Sequence, residues 1–124
     1  MNDANLVLVA DDDEDILMLV RAVLERSGCE VMSARNGAEA LELARSRPPH
    51  LAVLDVTMPE VDGLEVLRRL RSEEDTAGMP VLLLSARVQE ADIREGLEAG
   101  ATGYVAKPFS PRDLAARVVE LLRA

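Results

Sequence analysis

Leu6-Val7-Leu8-Val9-Ala10 runs without a break into Asp11-Asp12-Asp13. A short, wholly apolar run bounded by charge reads as a strand buried on both faces, as in a parallel sheet. The abrupt change to carboxylates marks the strand's carboxyl end. The same step recurs twice: Leu51-Ala52-Val53-Leu54 ends in Asp55, and Val81-Leu82-Leu83-Leu84 ends in Ser85. It recurs once more with opposite charge, where Thr102 to Ala106 ends in Lys107, the single lysine of the chain, followed by Pro108. In an open parallel sheet the carboxyl ends of strands lie side by side, and ligands bind outside them. Four such ends predict one polar site assembled from four loops.

Helical patterns fill the intervals. Ile16, Val20, Val23, Leu24 and Ser27 recur at helical spacing, and Gly28 is placed to stop that helix. Glu30 to Ala34 reads as a weaker strand, and Asn36-Gly37 as a turn. A helix is predicted over Ala38 to Arg47, ended by Pro48-Pro49. The loop Asp55 to Asp62 leads to Gly63, and Leu64, Leu67 and Leu70 mark the next helix. Glu73 to Gly78 is a solvated connection. Gln89 to Ala99 is a helix with a thin apolar stripe, chiefly Ile93 and Leu97, ended by Gly100. Ser110-Pro111 supplies an N-cap and first helical position for a final helix with Leu114, Val118, Leu121 and Leu122 on its apolar face. The pattern is (βα)5, an α/β doubly wound parallel sheet, because strands separated by helices pair in parallel through right-handed crossovers.

Composition sets the outer bounds. A length of 124 residues suits a single domain over residues 1–124, with no linker, repeat or low-complexity segment. One Tyr, one Phe and no Trp leave the core to aliphatic residues and offer no stacking platform for bases. Fourteen basic residues against 23 acidic ones give a net charge of −9, the reverse of a nucleic-acid-binding footprint. A lone Cys29 excludes an intrachain disulfide and reads as a packing residue. No secretory signal or membrane-length apolar run is visible, so the expected compartment is the cytoplasm and no membrane partner is expected. His50, in a loop without a clustered partner, reads as structural or merely exposed, and the five methionines read as core filling.

Taken singly, each strand-end residue has a plain structural reading. An Asp after a strand caps the next helix as readily as it binds a ligand; Ser85 does the same, and a Lys before a Pro is often a solvated loop residue. Capping uses one Asp, however, and adjacent carboxylates repel unless a cation or proton compensates. Mg²⁺ fits such a set, taking one or two carboxylates and keeping several waters, so Asp11, Asp12 and Asp55 are candidate ligands, directly or through water. An ionised Asp55 beside that ion can attack phosphorus and form an aspartyl phosphate. Lys107 would supply a compact charge for the phosphoryl oxygens, and Ser85 a hydroxyl donor.

These residues, as a set, resemble the receiver domain of two-component response regulators. The resemblance rests on Val9-Ala10-Asp11-Asp12, on Asp55-Val56-Thr57-Met58-Pro59 with Asp62-Gly63, on Ser85-Ala86, and on Gly103-Tyr104 with Lys107-Pro108-Phe109. It runs in order from about Leu6 to Leu122. It implies a flavodoxin-like sheet of order 2-1-3-4-5. It implies that Asp55 accepts a phosphoryl group from a sensor histidine kinase or phosphotransfer protein, that Asp12 with Asp11 holds Mg²⁺, and that the backbone carbonyl of Thr57 is a further ligand. Ser85 would bind the phosphoryl group and move toward it, Lys107 would pair with its oxygens, and Tyr104 would be a rotamer switch coupled to Ser85. The family also hydrolyses its own aspartyl phosphate, yet it is regulatory rather than an enzyme acting on external substrates. Helix 4, strand 5 and helix 5 would form a phosphorylation-dependent surface docking a downstream protein, a fused output domain or a second copy. Thr57 and Arg87, each two residues beyond Asp55 and Ser85, would tune the access of water. Thr102-Gly103 stands where winged-helix regulators often carry two acidic residues in a charged dimer face, and so argues against that dimer mode.

Three rival readings have sequence tests. Asp11, Asp13 and Asp15 alternate like calcium-loop ligands, but residue 16 is Ile where that loop turns on Gly, and residue 22 is Ala where it needs Glu. A phosphatase with an aspartate nucleophile commonly carries a second Asp two residues on, where this chain has Thr57, and no substrate-specificity insert is visible. A degenerate receiver serving as a scaffold would lack part of the residue set present here.

Overall fold

The computed structural model describes residues 5–123. Its elements run β1 (Leu6–Ala10), α1 (Glu14–Arg26), β2 (Glu30–Ala34), α2 (Gly37–Ser46), β3 (Leu51–Asp55), α3 (Gly63–Ser72), β4 (Val81–Ser85), α4 (Glu90–Glu98), β5 (Gly103–Ala106) and α5 (Pro111–Arg123). All strands are parallel, in the order β2-β1-β3-β4-β5. The expected strand–helix alternation and sheet order are both present.

Strand periodicity divides the core into two layers. Leu8, Ala10, Ala52, Leu54, Val81 and Leu83 point to the side covered by α2 and α3, where Leu41, Val66, Leu67 and Leu70 pack. Val7, Val9, Leu51, Val53, Leu82 and Leu84 point to the opposite side, against Leu17, Val20 and Leu24 of α1 and Leu114 and Val118 of α5. Every residue of β1, β3 and β4 is buried, whereas β2 and β5, at the sheet's edges, are only partly buried. Helix α4 buries only Gly96, so it is the least embedded of the five.

Helix ends follow local chemistry. Asp13, Asn36, Asp62 and Ser110 accept hydrogen bonds from the backbone N–H groups two or three residues on. Gly28, with φ 93°, and Gly100, with φ 109°, take the left-handed conformation after α1 and α4. Helix α4 lacks a side-chain cap at Gln89.

Several expected boundaries shift. Strands β3 and β4 extend through Asp55 and Ser85, because those backbones stay in the ladder beside Leu84 and Ala106. Strand β5 begins at Gly103 rather than Thr102, whose hydroxyl instead accepts from Val81 N at 3.0 Å. Helix α2 begins at Gly37, within the predicted turn, and α3 extends from Gly63 to Ser72. His50 is structural: its Nδ1 accepts from Leu6 N at 2.8 Å, and its N donates to Leu6 O at 2.8 Å, joining the starts of β1 and β3. Met58 and Met79 fill the core, but Met18 is 67% exposed on α1 and corrects the core-filling expectation. Met1 lies outside the described residues. Cys29 is buried, and desolvation pushes its thiol up.

Candidate functional site

The carboxyl ends of β1, β3, β4 and β5 converge as expected. Asp11 follows β1 and is fully buried, and Asp55 closes β3 at 4% exposure. Asp12 is exposed at the rim. One carboxylate oxygen from each of Asp11, Asp12 and Asp55 lies within 4.8 Å of the others. Lys107 crosses this cluster from the end of β5, with Nζ 3.0 Å from Asp11 Oδ2 and 3.3 Å from Asp55 Oδ2. The Lys107–Pro108 peptide bond at this corner is cis.

The third aspartate has a different task. Asp13 Oδ1 accepts from Asp15 N and Ile16 N and caps α1, so the plain capping reading holds there. Asp11 Oδ1 accepts from Asp13 N at 2.9 Å, which orients its other oxygen toward the cluster. That oxygen, Oδ2, is buried without a hydrogen-bond partner among the described residues, although the Lys107 charge lies nearby. Three clustered carboxylates with a single ammonium among them form a set of hard oxygen donors of the kind a divalent hard cation takes. The residues therefore fit a metal ion.

Electrostatics agree with the geometry. Burial raises the Asp55 carboxyl to about 6, the Asp11 charge adds to this, and Lys107 and the Thr57 N–H oppose it only in part. Burial would depress the Lys107 ammonium, but its contacts with Asp11 and Asp55 outweigh that and hold it above its ordinary range. Two carboxylates and one ammonium leave the buried cluster short of positive charge.

Ser85 and Tyr104 meet at one residue. Ser85 Oγ accepts from Arg87 N at 2.9 Å, and Tyr104 Oη donates to Arg87 O at 2.7 Å. The backbone of Arg87 thus lies between them, at the start of the exposed segment leading to α4. The sequence marks Arg87 only as a residue that tunes the access of water. Its backbone role carries no sequence signal, because any residue offers the same N–H and C=O. Thr57 is exposed, and its N–H approaches Asp55 Oδ1 at 3.4 Å, a long contact. Beside Lys107 lies an apolar hollow lined by Ile16, Leu19, Pro108, Phe109 and Pro111, with Leu19 55% exposed.

Comparison with known proteins points the same way. The family model described as "Response regulator receiver domain" matches residues 7–119. The alkaline phosphatase synthesis transcriptional regulatory protein PhoP of Bacillus subtilis is 47% identical over 117 residues, covering 94% of this chain and 48% of PhoP. The transcriptional regulatory protein SrrA of Staphylococcus aureus is 41% identical over 120 residues, covering 97% of this chain and 48% of SrrA. The chain thus spans about half the length of these curated relatives. Among solved structures, a putative response regulator from Chloroflexus aurantiacus superposes with a TM-score of 0.91 at 34% identity, covering 98% of this chain and 100% of that one. Chemotaxis protein CheY4 of Vibrio cholerae gives a TM-score of 0.90 at 31% identity, covering 95% and 98% respectively.

Proposed function

The chain belongs to the response regulator receiver domain family of two-component systems, and from that premise we propose that residues 1–124 form a receiver whose Asp55 accepts a phosphoryl group. The observation carrying this reading is Lys107 Nζ set between the buried carboxylates of Asp11 and Asp55, 3.0 and 3.3 Å away. An oxygen of Asp55 attacks the phosphorus of a phosphohistidine on a sensor kinase or phosphotransfer protein. The P–N bond breaks, the imidazole departs, and an acyl phosphate forms. Mg²⁺ held by Asp11, Asp12, Asp55 and the Thr57 carbonyl would neutralise charge on the phosphoryl oxygens. Lys107 then pairs with an oxygen of the transferred group, and Ser85 Oγ, 2% exposed as a residue at the neighbouring strand end, donates to another. Attack by water on the acyl phosphate returns the carboxylate and releases inorganic phosphate, which makes the signal self-limiting.

The protein donor must bring its histidine to the strand-end loops, so it covers the hollow around Leu19 and Phe109. Movement of Ser85 toward the phosphoryl group withdraws its oxygen from Arg87 N, and Tyr104 registers the change at Arg87 O. The α4–β5–α5 surface then alters its affinity for a downstream protein, a fused output domain or a second copy. PhoP and SrrA are transcriptional regulatory proteins, and on that likeness the output is transcriptional control. The setting is the cytoplasm; among the described residues no helix is long and apolar enough to cross a membrane. Intact mass after incubation with acetyl phosphate tests the reading. One phosphoryl increment that requires both Mg²⁺ and Asp55 is expected. No increment on folded, metal-loaded protein, or an increment retained by Asp55→Asn, overturns it.

A further inference from the structure

The loop from Asp55 to α3 is held by close backbone approaches at two glycines. A Cβ on Gly63 would lie 2.2 Å from Asp55 O, and Gly63 N donates to Val56 O at 2.9 Å, fastening the loop's base. A Cβ on Gly37, the first residue of α2, would lie 1.8 Å from Val61 O and 2.7 Å from Val61 Cβ, so the start of α2 presses on the far side of the same loop. Between these points the chain makes a turn in which Val61 N donates to Pro59 O at 2.9 Å across Glu60, whose φ is 68°. A three-residue turn with positive φ at a non-glycine residue is strained, and such strain persists only where surrounding structure holds it. The start of α2 is well suited to hold it. Asn36 Oδ1 accepts from Glu39 N at 2.8 Å and caps the helix, while Glu39 Oε1 accepts from Arg35 N, just before the cap, at 2.7 Å, so the first turn is tied at two points. Ala40 and Leu41 are buried in the core just behind it.

We infer that Gly37 is a positioning residue for phosphoryl transfer: through its bare contact with Val61 it holds the strained Pro59–Val61 turn and so sets the course of the Thr57–Asp62 loop beside Asp55. This rests on the receiver reading above. A side chain at residue 37 displaces the loop rather than the helix, because α2 is capped and buried behind the contact while the loop has exposed residues at Thr57, Pro59 and Glu60.

The test compares Gly37→Ala with Gly78→Ala, a glycine whose added Cβ meets nothing within 4 Å. Acetyl phosphate supplies the phosphoryl group at saturating Mg²⁺, and amide NMR shifts report the loop. Gly37→Ala is expected to move the amide resonances of residues 56–58 and 60–62 and slow phosphoryl uptake at least tenfold, with Gly78→Ala within twofold of wild type. Val61→Gly removes the side-chain part of the same contact, leaving the carbonyl, without a clash and stands in if Gly37→Ala does not fold; it is expected to shift the same amides and slow uptake at least threefold. Adding Glu60→Gly to the folded variant relieves the backbone strain and is expected to restore Tm without restoring the rate, which a merely structural role would not allow. Unmoved loop amides, or uptake within twofold of wild type in the variant tested, overturn the inference. A wild type that takes up no phosphoryl group overturns the receiver reading instead, and the amide shifts still decide whether Gly37 positions the loop.

Discussion

Asp55 is held charged only at an electrostatic cost. Its folded carboxyl sits at about 6 against an ordinary 3.8, first because it is buried and then because Asp11 is charged. Between those values the folded state holds more protons than the unfolded one, so this group's contribution to stability falls as pH rises and is least favourable above pH 6. In metal-free protein, Asp55→Asn is therefore expected to raise Tm by several degrees at pH 8 and by much less near pH 4. Thermal melts in chelator at the two pH values check this, and an equal increment at both would contradict it. Lys107 has the complementary role. Lys107→Met leaves Asp11 and Asp55 without their counter-charge and is expected to cost about 3 kcal/mol in chelator at neutral pH. Mg²⁺ should return much of that stability in urea melts while phosphoryl uptake stays at least tenfold slower. Stability unaffected by Mg²⁺ would speak against a cation in the cluster.

At the scale of elements, the run of three aspartates divides its labour. Asp13 caps α1, whereas Asp11 and Asp12 face the cluster. Asp13→Ala is expected to cost about 1 kcal/mol by urea denaturation and to leave phosphoryl uptake from acetyl phosphate within twofold. A large loss of uptake would assign Asp13 to the site after all. The exposed Leu19 on α1 gives a second test. Leu19→Asp should slow phosphotransfer from a partner phosphohistidine protein at least tenfold while leaving acetyl phosphate unaffected, since in the proposed docking only a protein donor reaches that hollow, where Leu19 is exposed. Equal rates with both donors would place the docking surface elsewhere. Element type was legible here because periodicity and capping residues are local signals. The ends were less so: Asp55 and Ser85 look like loop residues by polarity, yet their backbones remain in the ladder because the neighbouring strands offer partners.

For the molecule as a whole, the proposed function routes signal from the site to the surface through Arg87, whose backbone meets Ser85 Oγ on one side and Tyr104 Oη on the other. Helix α4 lacks a side-chain cap and buries only Gly96, so the segment from Ala86 to Glu90 has little else to hold it. Tyr104→Phe is expected to raise hydrogen exchange across residues 86–93 severalfold and to leave phosphoryl uptake within twofold, as measured by mass spectrometry. Unchanged exchange would remove Tyr104 from the coupling. The sequence by itself determined the alternation of strands and helices, the buried character of β1, β3 and β4, and the polar step at each strand end, because these follow from local periodicity and from the cost of burying charge. Strand order came from family resemblance and not from spacing, since nothing local tells β1 that its neighbours are β2 and β3. Only the tertiary structure decided which aspartate caps and which faces the cluster, that the Arg87 backbone lies between Ser85 and Tyr104, and that Gly37 lies against Val61. Those facts depend on contacts between segments far apart in the chain or on backbone groups common to all residues, and neither leaves a mark in residue type.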